Sequence, residues 1–474
     1  MSLIVLFLTF GLFYLQINGL SVPRVSSAPC DTVNHGYQCS NAISHLWGQY
    51  SPYFSVPTNI SASVPEQCNV TFVQVLSRHG ARDPTSSKTT EYGALINRIH
   101  NSVPASHFKG EYEFLANYSY TLGADQLTSF GQQEMVNSGT KFFGRYHHLT
   151  ANYTPFIRSS SESRVVESAQ NFSQGFHAAR IASNDSSDSS YPYPIVIISE
   201  DTGSNNTLDH GLCTAFETGP DSEVSDNAQA TWTSVFIPPI QARLNKNLPG
   251  VNFTVQNTID MMDLCPFNTV ASPSGTLSTF CNLFTQEEWQ QYDYYQSLGK
   301  YYGYGEGNPL GPTQGVGWVG ELLARLTGEH QYVKDSLYTS VNHTLDDSPA
   351  TFPLGGGHLL YADFSHDNDM TAAMAALGLY NISATNGPLP NSTLEAATDL
   401  GGYAASWTVP FAARIYVEKM TCHDQQEELV RTVVNDRVVP LQNCGADQFG
   451  RCRLNAFVES LSFARTGGNW DACF

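Results

Sequence analysis

Four short apolar runs, each ending in polar or charged residues, constrain the fold of this chain most. Residues 70–76 (VTFVQVL) lead into Ser77-Arg78-His79-Gly80, and Phe156-Ile157 leads to Arg158. Residues 195–198 lead to Ser199-Glu200, and 359–364 end at Ser365-His366-Asp367. Runs this short and sharply bounded suit strands buried in a layered α/β domain. Helical spacing follows two of them. Val165, Ala169, Phe172, Phe176 and Ala179 share one helical face, and 371–379 is rich in Ala and Met, with Asp369 as the expected N-cap. Open α/β sheets bind ligands beyond the carboxyl ends of their strands. Arg78, His79, Arg158, His366 and Asp367 all fall at such ends.

Downstream of 205 the pattern changes. Helical stretches at 231–244 and 286–302 flank weaker strand signals, and a Gly-rich loop is expected at 303–320. The expected division is an α/β domain formed by 20–205 and 345–474, interrupted by a smaller, mainly helical domain at 206–344. Residues 186–190 read as a polar surface loop, and no internal repeat is visible.

Residues 1–19 (MSLIVLFLTFGLFYLQING) contain an apolar run of about thirteen residues, too short to cross ~30 Å of hydrocarbon. It suits the core of a secretory signal peptide, with Gly19 at the cleavage position. Ten cysteines follow, at 30, 39, 68, 213, 265, 281, 422, 444, 452 and 473. An even number without C-x-x-C spacing points to disulfides made in an oxidising compartment, and the arithmetic leaves their pairing open. Asn-x-Ser/Thr sequons at Asn59, Asn69, Asn117, Asn152, Asn171, Asn184, Asn205, Asn252, Asn342, Asn381 and Asn391 add the expectation of a secreted glycoprotein. The 43 acidic residues outnumber 23 basic ones, giving −20 at pH 7 with no basic tract. That charge disfavours nucleic acid and anionic membranes as partners.

The string RHGARDPT, 78–85, places two arginines and a histidine within five residues of a tight turn. Guanidinium forks match phosphate oxygens, and a neutral imidazole held between them is a competent nucleophile toward phosphorus. His366-Asp367 supplies a further phosphate donor and a carboxylic acid able to protonate a leaving alkoxide. Arg158 adds a third guanidinium. His147-His148 lacks the H-E-x-x-H spacing of a metal site, and no G-x-S-x-G elbow occurs.

With these residues in view, the chain resembles the fungal phytases of the histidine acid phosphatase family. The likeness runs from Cys30 onward through HLWGQYSP at His45, LGADQLT at Leu122, NNTLDHG at Asn205, GNPLGPTQGVG at Gly307, YADFSHDN at Tyr361, NDRVVPL at Asn435 and SFARTGGNW at Ser462. The resemblance implies a mixed sheet flanked by helices, a smaller helical domain and a cleft between them. It implies His79 as the phosphorylated nucleophile and Asp367 as proton donor. Arg78, Arg82, Arg158 and His366 would hold the phosphate, with Thr85 near it, and Gln49, Tyr50, Lys88, Asp209 and Lys300 would line the pocket. It pairs Cys30 with Cys39, Cys68 with Cys422, Cys213 with Cys473, Cys265 with Cys281, and Cys444 with Cys452. No metal or cofactor is implied, because arginines neutralise the phosphate, and a monomer is expected. The implied activity is hydrolysis of phytate (myo-inositol hexakisphosphate), 3-position first; the alternative is a broad acid phosphatase with phytate a minor substrate. Asp83 stands where relatives carry an aromatic residue, Gly299 where some carry lysine, and Tyr304 where some carry histidine. These departures bear on phytate preference.

Overall fold

In the computed structural model, described for residues 31–37, 41–183, 190–336, 339–382, 387–423 and 425–474, the first apolar run is strand β1 (Cys68–Arg78). Both of its faces are covered, which explains a run without alternation. Phe72 and Leu76 enter a core with Tyr361, Val319 and Leu322. Val73 and Val75 enter another with Phe142, Phe172 and Ala362. The signal-like segment 1–19, the Cys30–Cys39 pair, Asn184 and most of the loop at 186–190 lie outside the described residues.

The remaining strands are β2 (Phe156–Ser160), β3 (Ile195–Ile198), β4 (Leu360–Ser365), β5 (Arg414–Cys422), β6 (Leu429–Val434), β7 (Arg437–Val438) and β8 (Arg451–Arg453). Their order is β3-β2-β4-β1-β5-β6-β7, with β8 also on β6. The pairs β1–β4, β4–β2 and β2–β3 are parallel, and those among β1, β5, β6, β7 and β8 are antiparallel. The sheet is mixed and carries helices on both faces, as expected. Helices Ser129–Arg145 and Ser163–Ala182 cover one face, and Val316–Thr327 covers the other.

Four expectations are corrected. Arg158 is the third residue of β2, with two further strand residues beyond it. The helix after β4 spans Asp367–Ala376 with His366 at its N-cap, so Asp369 sits inside the first turn, where an acidic group favours the helix dipole. The Gly-rich stretch 303–320 is not all loop, because Gly311–Gln314 and Val316–Thr327 are helical. The cores also do not divide at 206 and 344. Tyr92, Leu95 and Ile99 of the helix Ser86–Ser102 pack with Trp232, Met262 and Trp289, whereas the helix Val316–Thr327 belongs to the sheet.

Among the described residues there are four disulfides: Cys68–Cys422, Cys213–Cys473, Cys265–Cys281 and Cys444–Cys452. The first bolts β1 to β5 at paired positions of the sheet. Among the described residues no helix is long and apolar enough to cross a membrane.

Candidate active site

Strands β1 and β4 lie side by side and parallel, with Arg78 opposite Ser365, so the segments leaving their carboxyl ends meet. The turn after β1 is held at every residue. The His79 N–H donates to the Ser365 carbonyl at 3.1 Å, and the His79 carbonyl accepts from Ala412 N–H at 2.9 Å. Gly80 N–H donates to Ser168 Oγ at 3.1 Å. Buried Glu134 accepts from the N–H groups of Ala81 and Tyr53, both at 2.9 Å. Gly80 itself cannot be larger, since a Cβ there would lie 2.3 Å from the Gly131 carbonyl oxygen.

His79 is 1% exposed. Its Nδ1 lies 2.8 Å from the Gly80 carbonyl oxygen. A carbonyl only accepts, so Nδ1 carries the proton and Nε2 keeps its lone pair. Burial, then the charges of Arg78, Arg164 and Arg82, hold this imidazole well below its usual pKa. The neutral form of the imidazole is therefore strongly favoured.

Three guanidiniums surround it. Arg78 Nη1 donates to the carbonyls of Gln49 and Val409, and the group sits 4.6 Å from the Phe411 ring centroid. Arg82 Nη1 donates to the Asp83 carbonyl at 2.8 Å. The third is Arg164, in the first turn of the helix after β2, paired through Nη1 with Glu162. The Nε donors of all three are buried without a hydrogen-bond partner. Buried donors of this kind suit an anion. His366 Nε2 lies 3.3 Å from Glu200 and 3.7 Å from Glu162. Burial lowers its pKa, but Glu200 and Asp369 outweigh that and raise it, which favours imidazolium.

Arg158 is not in this cluster. It lies on the sheet face beneath the helix Val316–Thr327, where Nε and Nη2 donate to Asp363 at 2.9 Å. Nη1 and Nη2 donate to Glu321 at 3.0 and 2.5 Å. Asp346 lies 3.8 Å away, so the guanidinium is saturated by carboxylates. Arg164, which the sequence reading missed, stands where Arg158 was expected. Accordingly, Arg164→Ala is expected to raise KM for a phosphomonoester by about 10- to 100-fold with a melting temperature near wild type, as for loss of a charge-assisted hydrogen bond. Arg158→Ala is expected instead to destabilise the fold by roughly 3–5 kcal/mol, because it strands buried carboxylates. Steady-state kinetics with thermal denaturation of both variants separates the two roles.

Asp367 lies 3.4 Å from Arg78 Nη2 and 2.5 Å from Lys300 Nζ. Burial pushes its carboxyl up, but Arg78 and Lys300 outweigh that and hold it well below the usual carboxylate range. Lys300 Nζ also donates to Asn368 Oδ1 at 2.6 Å and lies 5.4 Å from the Tyr304 ring centroid. Gln49 hydrogen-bonds Gln296, and Tyr50 packs on Phe267 and Phe411. Lys88 pairs with Glu91 at 2.7 Å and Asp260 at 3.5 Å. Thr85 caps the helix Ser86–Ser102 through its backbone position, with no side-chain cap bond. Asp209 is pushed up to about 7 by burial, Asp369 and Glu200. Asp369 faces the backbone N–H of His210. Asp83 turns its carboxylate onto the backbone of Gly123, where it also feels the charge of Arg82. A Cβ at Gly299 would meet Gln229, so this glycine does not face Asp367.

Residues 69–435 match the family described as Histidine phosphatase superfamily (branch 2). Phytase A of Aspergillus fumigatus is 51% identical over 473 residues, covering 98% of this chain and 99% of its own. Phytase A of Emericella nidulans is 52% identical over 469 residues, covering 98% of each chain. Among solved structures, the phytase from D. castellii has a TM-score of 0.71 at 23% identity, covering 95% of this chain and 90% of its own. The Bifidobacterium longum multiple inositol polyphosphate phosphatase, in complex with inositol hexasulfate, has a TM-score of 0.59 at 16% identity, covering 87% and 96%. At these identities the two structures speak to the fold.

Proposed function

We infer, for a chain that belongs to branch 2 of the histidine phosphatase superfamily, that the pocket at His79 hydrolyses phosphomonoesters and that phytate is its substrate. The chain is a phytase, a phosphoric monoester hydrolase. The observation that carries the mechanism is the buried His79, its Nδ1 turned to the Gly80 carbonyl and its charged form disfavoured by burial and by Arg78, Arg164 and Arg82.

Nε2 attacks phosphorus while the three guanidiniums and His366 offset the charge of the phosphoryl oxygens. The P–N bond forms as the P–O bond to the leaving alkoxide breaks, and Asp367 gives that oxygen its proton. The resulting carboxylate then takes a proton from water, whose oxygen attacks the phosphohistidine. His79 is released neutral, inorganic phosphate departs, and Asp367 is protonated again. The remaining phosphates of phytate would face Lys88 and Lys300 at the pocket wall. At −20 the whole chain repels a polyanion, but salt screens charges beyond ~8 Å, so the local cations govern binding.

Attack at the 3-position first belongs to this reading, as do secretion after removal of 1–19, N-glycosylation and a monomeric state. Support for glycosylation comes from the ten described sequon asparagines, none of which is buried. Substrate preference is tested by initial phosphate release from phytate and from p-nitrophenyl phosphate at pH ~5. Efficient phytate turnover is expected, because Asp83 is turned toward Gly123 and Gly299 toward Gln229. Cleavage of the small ester alone would replace this reading by that of a general acid phosphatase.

A further inference from the structure

The helix Gln286–Gly303 turns a polar yet buried face toward the pocket, formed by Asp293, Gln296, Ser297 and Lys300. Their i, i+3, i+4, i+7 spacing puts them on one side of the helix. Lys300 reaches the reacting centre through Asp367. The other three act on the backbone that aims Arg78. Asp293 Oδ1 accepts the Gly48 N–H at 3.1 Å. Gly48 has φ +58, and a Cβ there would lie 2.3 Å from Gln296 Cβ, so the peptide runs hard against the helix. Gln296 Oε1 accepts from Gln49 Nε2 at 2.9 Å. Ser297 Oγ donates to the Asp293 carbonyl at 2.8 Å and accepts Ala405 N–H at 2.9 Å. Ala405 opens the short helix Ala405–Thr408 that delivers Val409. Arg78 Nη1 donates to two carbonyls, those of Gln49 and Val409. Both acceptors therefore hang from this one helical turn.

We propose that Asp293 is a positioning residue for phosphate binding: by holding the Gly48 N–H it fixes the Gly48-Gln49 segment, whose Gln49 carbonyl aims the Arg78 guanidinium. The proposal rests on the phosphatase reading of the pocket. Asp293 touches no reacting atom and acts through the backbone. Burial pushes its carboxyl up to about 7. The carboxyl also accepts from the Ser406 N–H, and asparagine keeps one accepting oxygen for the Gly48 N–H. Alanine leaves the Gly48 N–H without a partner and lets the Gln49 carbonyl move off Arg78.

Calorimetric titration with inorganic phosphate reads the anion clamp without turnover, and steady-state kinetics with p-nitrophenyl phosphate reads KM and kcat. Asp293→Ala is expected to weaken phosphate binding and raise KM by about tenfold, the factor one buried hydrogen bond represents. Asp293→Asn is expected to return both to within about threefold of wild type on the same grounds. If Asp293→Ala does not fold, Asp293→Ser, too short to reach Gly48, carries the same expectation. A folded Ala or Ser variant that binds phosphate like wild type overturns the proposal, as does an Asn variant as weak as alanine. Wild type that neither binds phosphate nor cleaves the ester would instead overturn the phosphatase reading, so the two failures are distinguishable.

Discussion

Replacing His79 with alanine is expected to lower kcat for phytate and for p-nitrophenyl phosphate by at least ~10⁴-fold, as for other removed nucleophiles. The expectation follows from what the variant keeps. Arg78, Arg82, Arg164 and His366 are anchored by contacts that do not involve the imidazole, so the anion site survives and loss should fall on kcat while phosphate still binds. Water could take the place of Nε2, but it lacks a fixed general base on that side of phosphorus. A direct check is to mix enzyme with substrate labelled in its phosphoryl group and quench in alkali. Wild type should retain label on protein, and His79→Ala should retain none. A variant keeping more than about a hundredth of wild-type activity would place the nucleophile elsewhere.

How far this site could be read in the sequence depended on whether a residue's role is local. RHG and HD were legible because each lies at the end of an apolar run, and the parallel pairing of β1 with β4 brings them together. Arg158 is not legible as a strand residue because the apolar run stops at Ile157, whereas β2 continues to Ser160. A residue inside a strand faces a sheet surface, and here that surface lies under Glu321 and Trp318, beside Asp363. The guanidinium that reaches His79 comes six residues later, from the first turn of the next helix. The signal available was its place just before Val165, which opens the periodic face of that helix.

The polar spacing of Asp293, Gln296, Ser297 and Lys300 was equally visible, but such spacing ordinarily marks a solvated helix face. Only the burial of all four reveals its work. Strands β5 to β8 escaped notice for another reason. The β6–β7 hairpin turns on Asn435-Asp436, both at positive φ, and this pair is a weaker signal than Asn-Gly or Asp-Gly.

Asp367→Asn carries the second large expectation, and its size depends on the substrate. An amide at this position cannot give a proton, so turnover of phytate, whose leaving group is a poor alkoxide, should fall by roughly 10²–10⁴-fold. p-Nitrophenolate leaves without protonation, so with the small ester phosphorylation of His79 should lose far less, and a burst of p-nitrophenolate should precede slow hydrolysis of the phosphohistidine, whose attacking water also loses Asp367 as its base. In the free enzyme Arg78 and Lys300 hold the Asp367 carboxyl well below the usual range, so it is ionised at pH 5 and cannot yet act as the acid. A bound phosphoryl dianion draws on those same cations and adds negative charge beside the carboxylate, and both effects raise its pKa. Substrate binding and protonation of Asp367 are thereby linked, and each favours the other. Binding should weaken as pH rises, and kcat should fall as pH passes the raised pKa of the complex. The linkage can be seen without turnover by titrating phytate into His79→Ala at pH ~6 in two buffers of different ionisation enthalpy. Net proton uptake is expected, and it should be smaller by the contribution of this carboxyl in the variant that also carries Asp367→Asn. Equal uptake in both would mean that Asp367 stays ionised in the complex and that the leaving group takes its proton from another donor.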